Sequence, residues 1–166
     1  MSGSTVSAET PDWGRESIAT LSWDPSRALL RTIRDYQNAR GPFASILRRY
    51  ASLRHRVWSI VTGADIPINA SIGGGLLIPH PNGIVIHPNA RIGCNCLIFQ
   101  QVTIGATSKG IPTIGGHVDI GAGAKIIGPV FIGDHVQIGA NAVVIKDVPS
   151  HGIFVSNLGK LLQGEQ

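Results

Sequence analysis

Six histidines, two cysteines and ten carboxylate residues are the side chains of this 166-residue chain best suited to proton, nucleophile or metal chemistry. His80 lies in the short stretch "PHPNG" (79–83). An imidazole titrates at about 6.5, so such a residue suits the removal of a proton from a hydroxyl as that oxygen attacks an electrophile. His117 and His135 lie eighteen residues apart and, if stacked, could chelate a metal. A zinc site wants three protein ligands around an open position, and no third is evident. Cys94 and Cys96 are too close in sequence for an easy bridge and read as small buried or corner residues, consistent with a reduced, cytoplasmic setting.

The frame that positions these groups is a six-residue repeat. Aliphatic residues run Ile66, Ile72, Ile78, then Ile86, Ile92, Ile98, Ile104, then Ile114, Ile120, Ile126, Ile132, Ile138 and Val144. Glycine follows many of them, and a small or β-branched residue recurs four positions on, as at Ala70, Ala90, Val102, Val118, Ala124, Val130, Val136 and Ala142. Neither a helix nor a strand has that period. A triangular solenoid has it: each face is a short strand, each corner a turn, and three steps of six residues close one coil. The spacing predicts a mainly β chain, a parallel β-helix of hexapeptide repeats over 64–149.

Two interruptions break the count. Eight residues separate Ile78 from Ile86, so 79–83 is a wide corner carrying His80; ten separate Ile104 from Ile114, so 106–113 is a loop. A solenoid gains no stability from bulges, which makes them candidate sites. Counting three steps per coil stacks Ile78, Ile98, Ile120 and Ile138 on one face. Two residues on, the same column holds His80, Gln100, Ala122 and Ala140, while His117 stacks above His135 in a separate column.

Before the repeat, 1–12 reads as a disordered tail and 13–63 as a short helical region. The first helix opens at a cap-like Asp24 with Pro25 behind it and carries Leu29, Leu30, Ile33 and Tyr36. The second carries Ile46, Leu47, Tyr50, Leu53, Val57, Trp58 and Val61 as its apolar stripe and stops at Gly63. Arg48, Arg49, Arg54, His55 and Arg56 read as its solvated side; an anionic membrane surface is the alternative partner. Residues 150–166 read as a C-terminal tail. With 43% hydrophobic and 14% charged residues, the composition argues against disorder. No apolar run reaches a membrane span, and the N-terminus lacks the order of a signal peptide. The net charge of +4 favours anionic ligands without pointing to nucleic acid.

The pieces "TGADIPINASIGGGLLIPHPNGIVI", "QQVTIGATSKG", "IGAGAKIIG" and "IGANAVVIKDVPSH", in this order behind a helical segment, resemble the left-handed β-helix acyltransferases. The nearest likeness is to the serine O-acetyltransferase-like branch, which includes polysaccharide O-acetyltransferases. The resemblance implies left-handed winding, a homotrimer, no metal, and acetyl-CoA as co-substrate in a groove between neighbouring coils. It also implies His80 as the general base and Asp65 as the carboxylate supporting it. A backbone N–H at Ala106, beside Gly105, would meet the oxyanion, and this requires a negative φ there. Ala122 and Ala140 would flank the pantetheine arm, with Lys109 and Lys146 toward the CoA phosphates.

The pattern also departs from the serine enzymes. Pro79 stands where they carry an acidic residue, and Gly110 and Ile111 stand where they carry an Arg-His pair. An amino-acid zwitterion needs compensating charge. The expected acceptor is therefore a sugar of a polysaccharide or glycolipid precursor, with serine itself as the alternative. A metal-binding β-helix of the carbonic anhydrase type and a non-catalytic scaffold are the readings of another class.

Overall fold

The computed structural model of the protein describes residues 6–19 and 22–156. Twelve short parallel strands stack into three sheets, as the repeat requires. One face carries the strands at Ser71–Ile72, Arg91–Ile92, Thr113–Ile114 and Phe131–Ile132. A second carries Leu97–Ile98, Asp119–Ile120, Gln137–Ile138 and Ile153–Phe154; the third carries Val85–Ile86, Thr103–Gly105, Lys125–Ile127 and Val143–Val144. Each pairing joins like positions of successive coils: Ile86 with Ile104, Ile104 with Ile126, Ile120 with Ile138. The repeated isoleucines all point to the axis and are almost wholly buried, and the small residues of the spacing fill the space beside them. Burial at about 25 cal/mol per Å² of apolar surface along this column is the main force holding the coils together.

The corners are turned by residues of positive φ. Glycine serves at several; elsewhere Asn95, Gln101, His117, His135, Asn141 and His151 adopt φ between 51° and 64°. Asparagine tolerates that region better than most residues.

Two helices lie against the open end of the solenoid: α1 (Pro25–Asn38) and α2 (Ala44–Thr62). Asp24 caps α1 by accepting the Arg27 N–H at 3.0 Å, and Gly63 ends α2 in the left-handed region, its N–H donating to the Ser59 carbonyl. Leu29, Leu30 and Ile33 of α1 join the solenoid core. Arg34 fastens α1 to the first coil, donating to the carbonyls of Ile72 and Gly73 at 2.7 Å while pairing with Glu16. His55 joins three elements: Nε2–H donates to the Ile66 carbonyl at 2.9 Å, and Nδ1 meets the Thr32 hydroxyl at 2.9 Å.

Three features differ from the sequence-based expectation. The tail expected over 1–12 is bound where the structure describes it. Buried Asn95 donates from Nδ2 to the carbonyls of Ser7 and Thr10 and accepts the Asp12 N–H at 2.8 Å. The solenoid also runs past 149, because Ile153–Phe154 adds a strand to Gln137–Ile138; residues 157–166 of the expected tail lie outside the described residues. Finally, α2 turns Ala51, His55, Trp58 and Thr62 toward the body, whereas Ile46, Tyr50, Leu53, Val57 and Val61 of the expected stripe face outward. Of the expected stripe only Trp58 packs inward, and His55, expected on the solvated side, turns inward to bond Thr32 and Ile66.

Candidate active site

The corner 79–83 that bears His80 lies directly on the end of α2. The Gly83 N–H donates to the Gly63 carbonyl at 2.8 Å, and Asn82 accepts the Gln101 N–H of the next coil at 3.0 Å. Gly83 has φ +70°, and an added Cβ there would strike the Gln101 side chain. His80 is exposed and lies over Phe99 of the coil above, with ring centroids 6.5 Å apart.

A cleft of about 760 Å³ opens at this corner, walled by His80, Pro79 and Asn82 on the solenoid side, and by Trp23, Asp24 and Val61 on the helical side. It is a concavity lined by one imidazole, one carboxylate and apolar side chains. Asp24 is ionised through the physiological range. Burial acts to raise its pKa, but the Arg27 N–H, the Ser26 hydroxyl and the Arg27 charge together hold it below the usual carboxylate value. Asp24 was legible only as a helix cap; its place opposite His80 comes from how α1 docks. Asp65 is exposed beside Val85 and makes no hydrogen bond to His80. The expected carboxylate–imidazole contact is therefore absent from the single chain among the described residues.

The remaining candidates divide between two edges of the prism. Ala122 and Ala140 stand at the corner that follows His80's face, and between them and His80 in the column sits Gln100. Its Oε1 is buried and accepts no hydrogen bond. A buried acceptor left unpaired marks this corner as a place where a donor from outside the chain would be satisfied. The sequence placed Gln100 in this column but assigned it no role.

Gly105, Ala106, Lys109 and Lys146 stand at the next corner. The loop 106–113 closes on itself, with Thr107 and Gly110 exchanging N–H···O bonds of 2.9 and 3.2 Å. Ala106 is not among the residues of positive φ, and its N–H donates to no protein acceptor among the described residues. The Ala106 N–H is thus free to donate to a group outside the chain. Lys109 and Lys146 are exposed.

At the third corner His117 and His135 do stand one above the other, edge to face with Nδ1 to Nδ1 at 2.8 Å, and His151 extends the column. His151 lies flat on His135, ring planes 9° apart and centroids at 4.8 Å, so the lone pairs do not converge on a point. No group of three such ligands able to hold a metal occurs among the described residues. Cys96 is buried, and its thiol is pushed up to about 12 by burial, leaving it unreactive.

No protein-family model matches the chain. Among curated proteins it is 42% identical to the serine acetyltransferase of Synechococcus elongatus over 107 residues, 62% of this chain and 44% of that protein. The chain thus spans about half the length of such relatives. Among solved structures it superposes on serine acetyltransferase isoform 3 of Entamoeba histolytica in complex with cysteine, with TM-score 0.70 and 34% identity over 85% of this chain and 51% of that one. A serine acetyltransferase solved with CoA gives TM-score 0.68 and 29% identity over 81% and 55% of the two chains. Soybean serine acetyltransferase complexed with serine gives TM-score 0.60 and 32% identity over 84% and 70%. The shared solenoid, its helical cap and this degree of identity place the chain in the serine acetyltransferase-like branch of the left-handed β-helix acyltransferases.

Proposed function

We propose that the protein is an acetyl-CoA-dependent O-acetyltransferase whose acceptor is the hydroxyl of serine. The observation that carries this reading is the cleft in which His80 and the ionised Asp24 share one space. His80 removes the hydroxyl proton as the oxygen attacks the thioester carbonyl. The oxyanion is met by the Ala106 N–H, and the tetrahedral intermediate collapses with loss of the CoA thiolate, which the imidazolium protonates. Asp24 can take an ammonium group at Oδ2: Oδ1 accepts from the Ser26 hydroxyl and the Arg27 N–H, whereas Oδ2 accepts only from the Arg27 guanidinium and keeps one lone pair. The sugar acceptor expected from Pro79, Gly110 and Ile111 gives way to serine because Asp24, the carboxylate that lines the cleft, offers the ammonium group a partner. The neighbours solved with serine and with CoA support the same reading.

The reading includes a homotrimer. His80, Ala122 and Ala140 lie on one edge of the prism and Ala106, Lys109 and Lys146 on another. A neighbouring copy that sets its second edge against the first completes the site, with Ala122, Ala140 and Gln100 along the pantetheine arm and the two lysines toward the phosphates.

A sugar acceptor remains the second reading, on one observation. Trp23 is 76% exposed in the cleft wall, and a bare indole is a platform on which a pyranose ring stacks. The test is CoA thiol release from acetyl-CoA across serine, nucleotide sugars and oligosaccharides. Release with serine, falling at least ~100-fold in His80→Ala, supports the proposal. Release with sugars alone transfers the acceptor to the second reading, and release undiminished in His80→Ala overturns the mechanism.

A further inference from the structure

The outward side of α2 supplies no reacting group to the cleft and leaves a run of large apolar side chains exposed. Ile46, Tyr50, Leu53, Val57 and Ile60 recur at spacings of four and three and form one continuous stripe, with exposures of 62% at Leu53 and 82% at Ile60. Phe43, Leu47 and Val61 widen it on one side. Monomer surfaces rarely leave such a stripe open without a partner.

Charge identifies the partner. Arg49 and Arg56 flank the stripe on its other side. With Arg48, Tyr36, Ser52 and Leu53 they line a groove of about 470 Å³. Arg54 is paired with Asp35 and Arg27 and Arg34 with other carboxylates, but among the described residues Arg48, Arg49 and Arg56 have no acidic partner. No Asp or Glu occurs anywhere in α2. A second copy laid antiparallel along the stripe would set Arg49 and Arg56 against the same arginines of its partner, with nothing to neutralise them, and a parallel one would set them against Phe43, Leu47 and Val61. The breadth of the apolar face exceeds a two-helix seam, and three guanidiniums in a groove beside it suit phosphate oxygens.

We propose that α2 lies flat on an anionic phospholipid bilayer, with Ile46, Tyr50, Leu53, Val57 and Ile60 in the acyl boundary and Arg48, Arg49 and Arg56 on headgroup phosphates. The helix is surface-lying and not spanning: no helix among the described residues is long and apolar enough to cross a membrane. Val61 belongs both to this face and to the wall of the His80 cleft, so docking holds the cleft mouth at the lipid surface.

The test is sedimentation of the full chain with phosphatidylcholine vesicles, neutral or carrying phosphatidylglycerol, with circular dichroism confirming that each variant is folded. The protein should pellet with the anionic vesicles and stay free of the neutral ones. Leu53→Asp with Ile60→Asp should lower partitioning by roughly 100-fold, and Arg49→Gln with Arg56→Gln by roughly 30-fold. No binding to anionic vesicles overturns the proposal. So does binding that the double aspartate variant retains, since that shows a purely ionic contact. A third overturning result is a smaller assembly for that variant in sedimentation velocity with unchanged vesicle binding, which assigns the face to a second copy.

Discussion

Replacing Asn95 by alanine should release the N-terminal segment and leave the solenoid intact. Asn95 is wholly buried and makes three bonds to that segment, two from Nδ2 at 2.7 and 2.8 Å and one to Oδ1 at 2.8 Å. At about 1 kcal/mol net each, these stabilise the bound segment by about 3 kcal/mol. Its φ of +57° costs alanine roughly 1 kcal/mol more than asparagine. The segment can detach and rehydrate its carbonyls, so the loss is local. Native-state hydrogen exchange should show the Asp12 amide losing protection by roughly 100-fold or more, with the amides of Ile98 and Ile120 unchanged. Asn95→Gly separates the terms, because glycine accepts the positive φ yet makes none of the bonds; its segment should be as exchangeable as that of the alanine variant while the corner itself is relaxed. Unchanged Asp12 protection in both variants, or equal loss throughout the coils, refutes the reasoning.

Ile104 has no exposed surface and packs at the middle of the axial column, so Ile104→Ala should cost about 3–4 kcal/mol in urea unfolding; a loss below about 1 kcal/mol would mean the coils collapse onto the cavity. Burial lowers the pKa of His55 and outweighs the opposing bond to the Ile66 carbonyl, so the folded state holds this proton less tightly than the unfolded one. The stabilisation is full above about pH 6.5 and is lost as pH falls through the folded value; the fall in urea midpoint from pH 7.5 to 5 should be smaller in His55→Gln than in the parent. Asp24 is likewise depressed, so its contribution is present above about pH 3.9 and lost as pH falls through its folded value. Asp24→Ala should cost about 1 kcal/mol at neutral pH through the lost cap of α1, and, under the proposed function, should raise KM for serine more than it lowers kcat.

The spacing of aliphatic residues alone determined the solenoid, its three faces and its core. Every sixth side chain must meet the axis whatever surrounds it, so the stacking of Ile78, Ile98, Ile120 and Ile138 and the columns of His80 and His117 were legible without coordinates. What required tertiary structure is everything that depends on how an element docks. The segment 7–12 carries no periodicity, because it is held by its backbone groups to a side chain some eighty residues away. Asp24 reads as a cap until α1 packs against the first coils and brings it opposite His80. His151 enters the histidine column because the last coil is two residues shorter than the one before, an offset set by the turn at Pro149 and not by the repeat. On α2 the sequence offers two apolar directions; packing against α1 takes the one with Ala51 and Trp58 and leaves the other facing out. Periodicity specifies which side chains share a face, and only the packing of whole elements specifies which faces meet.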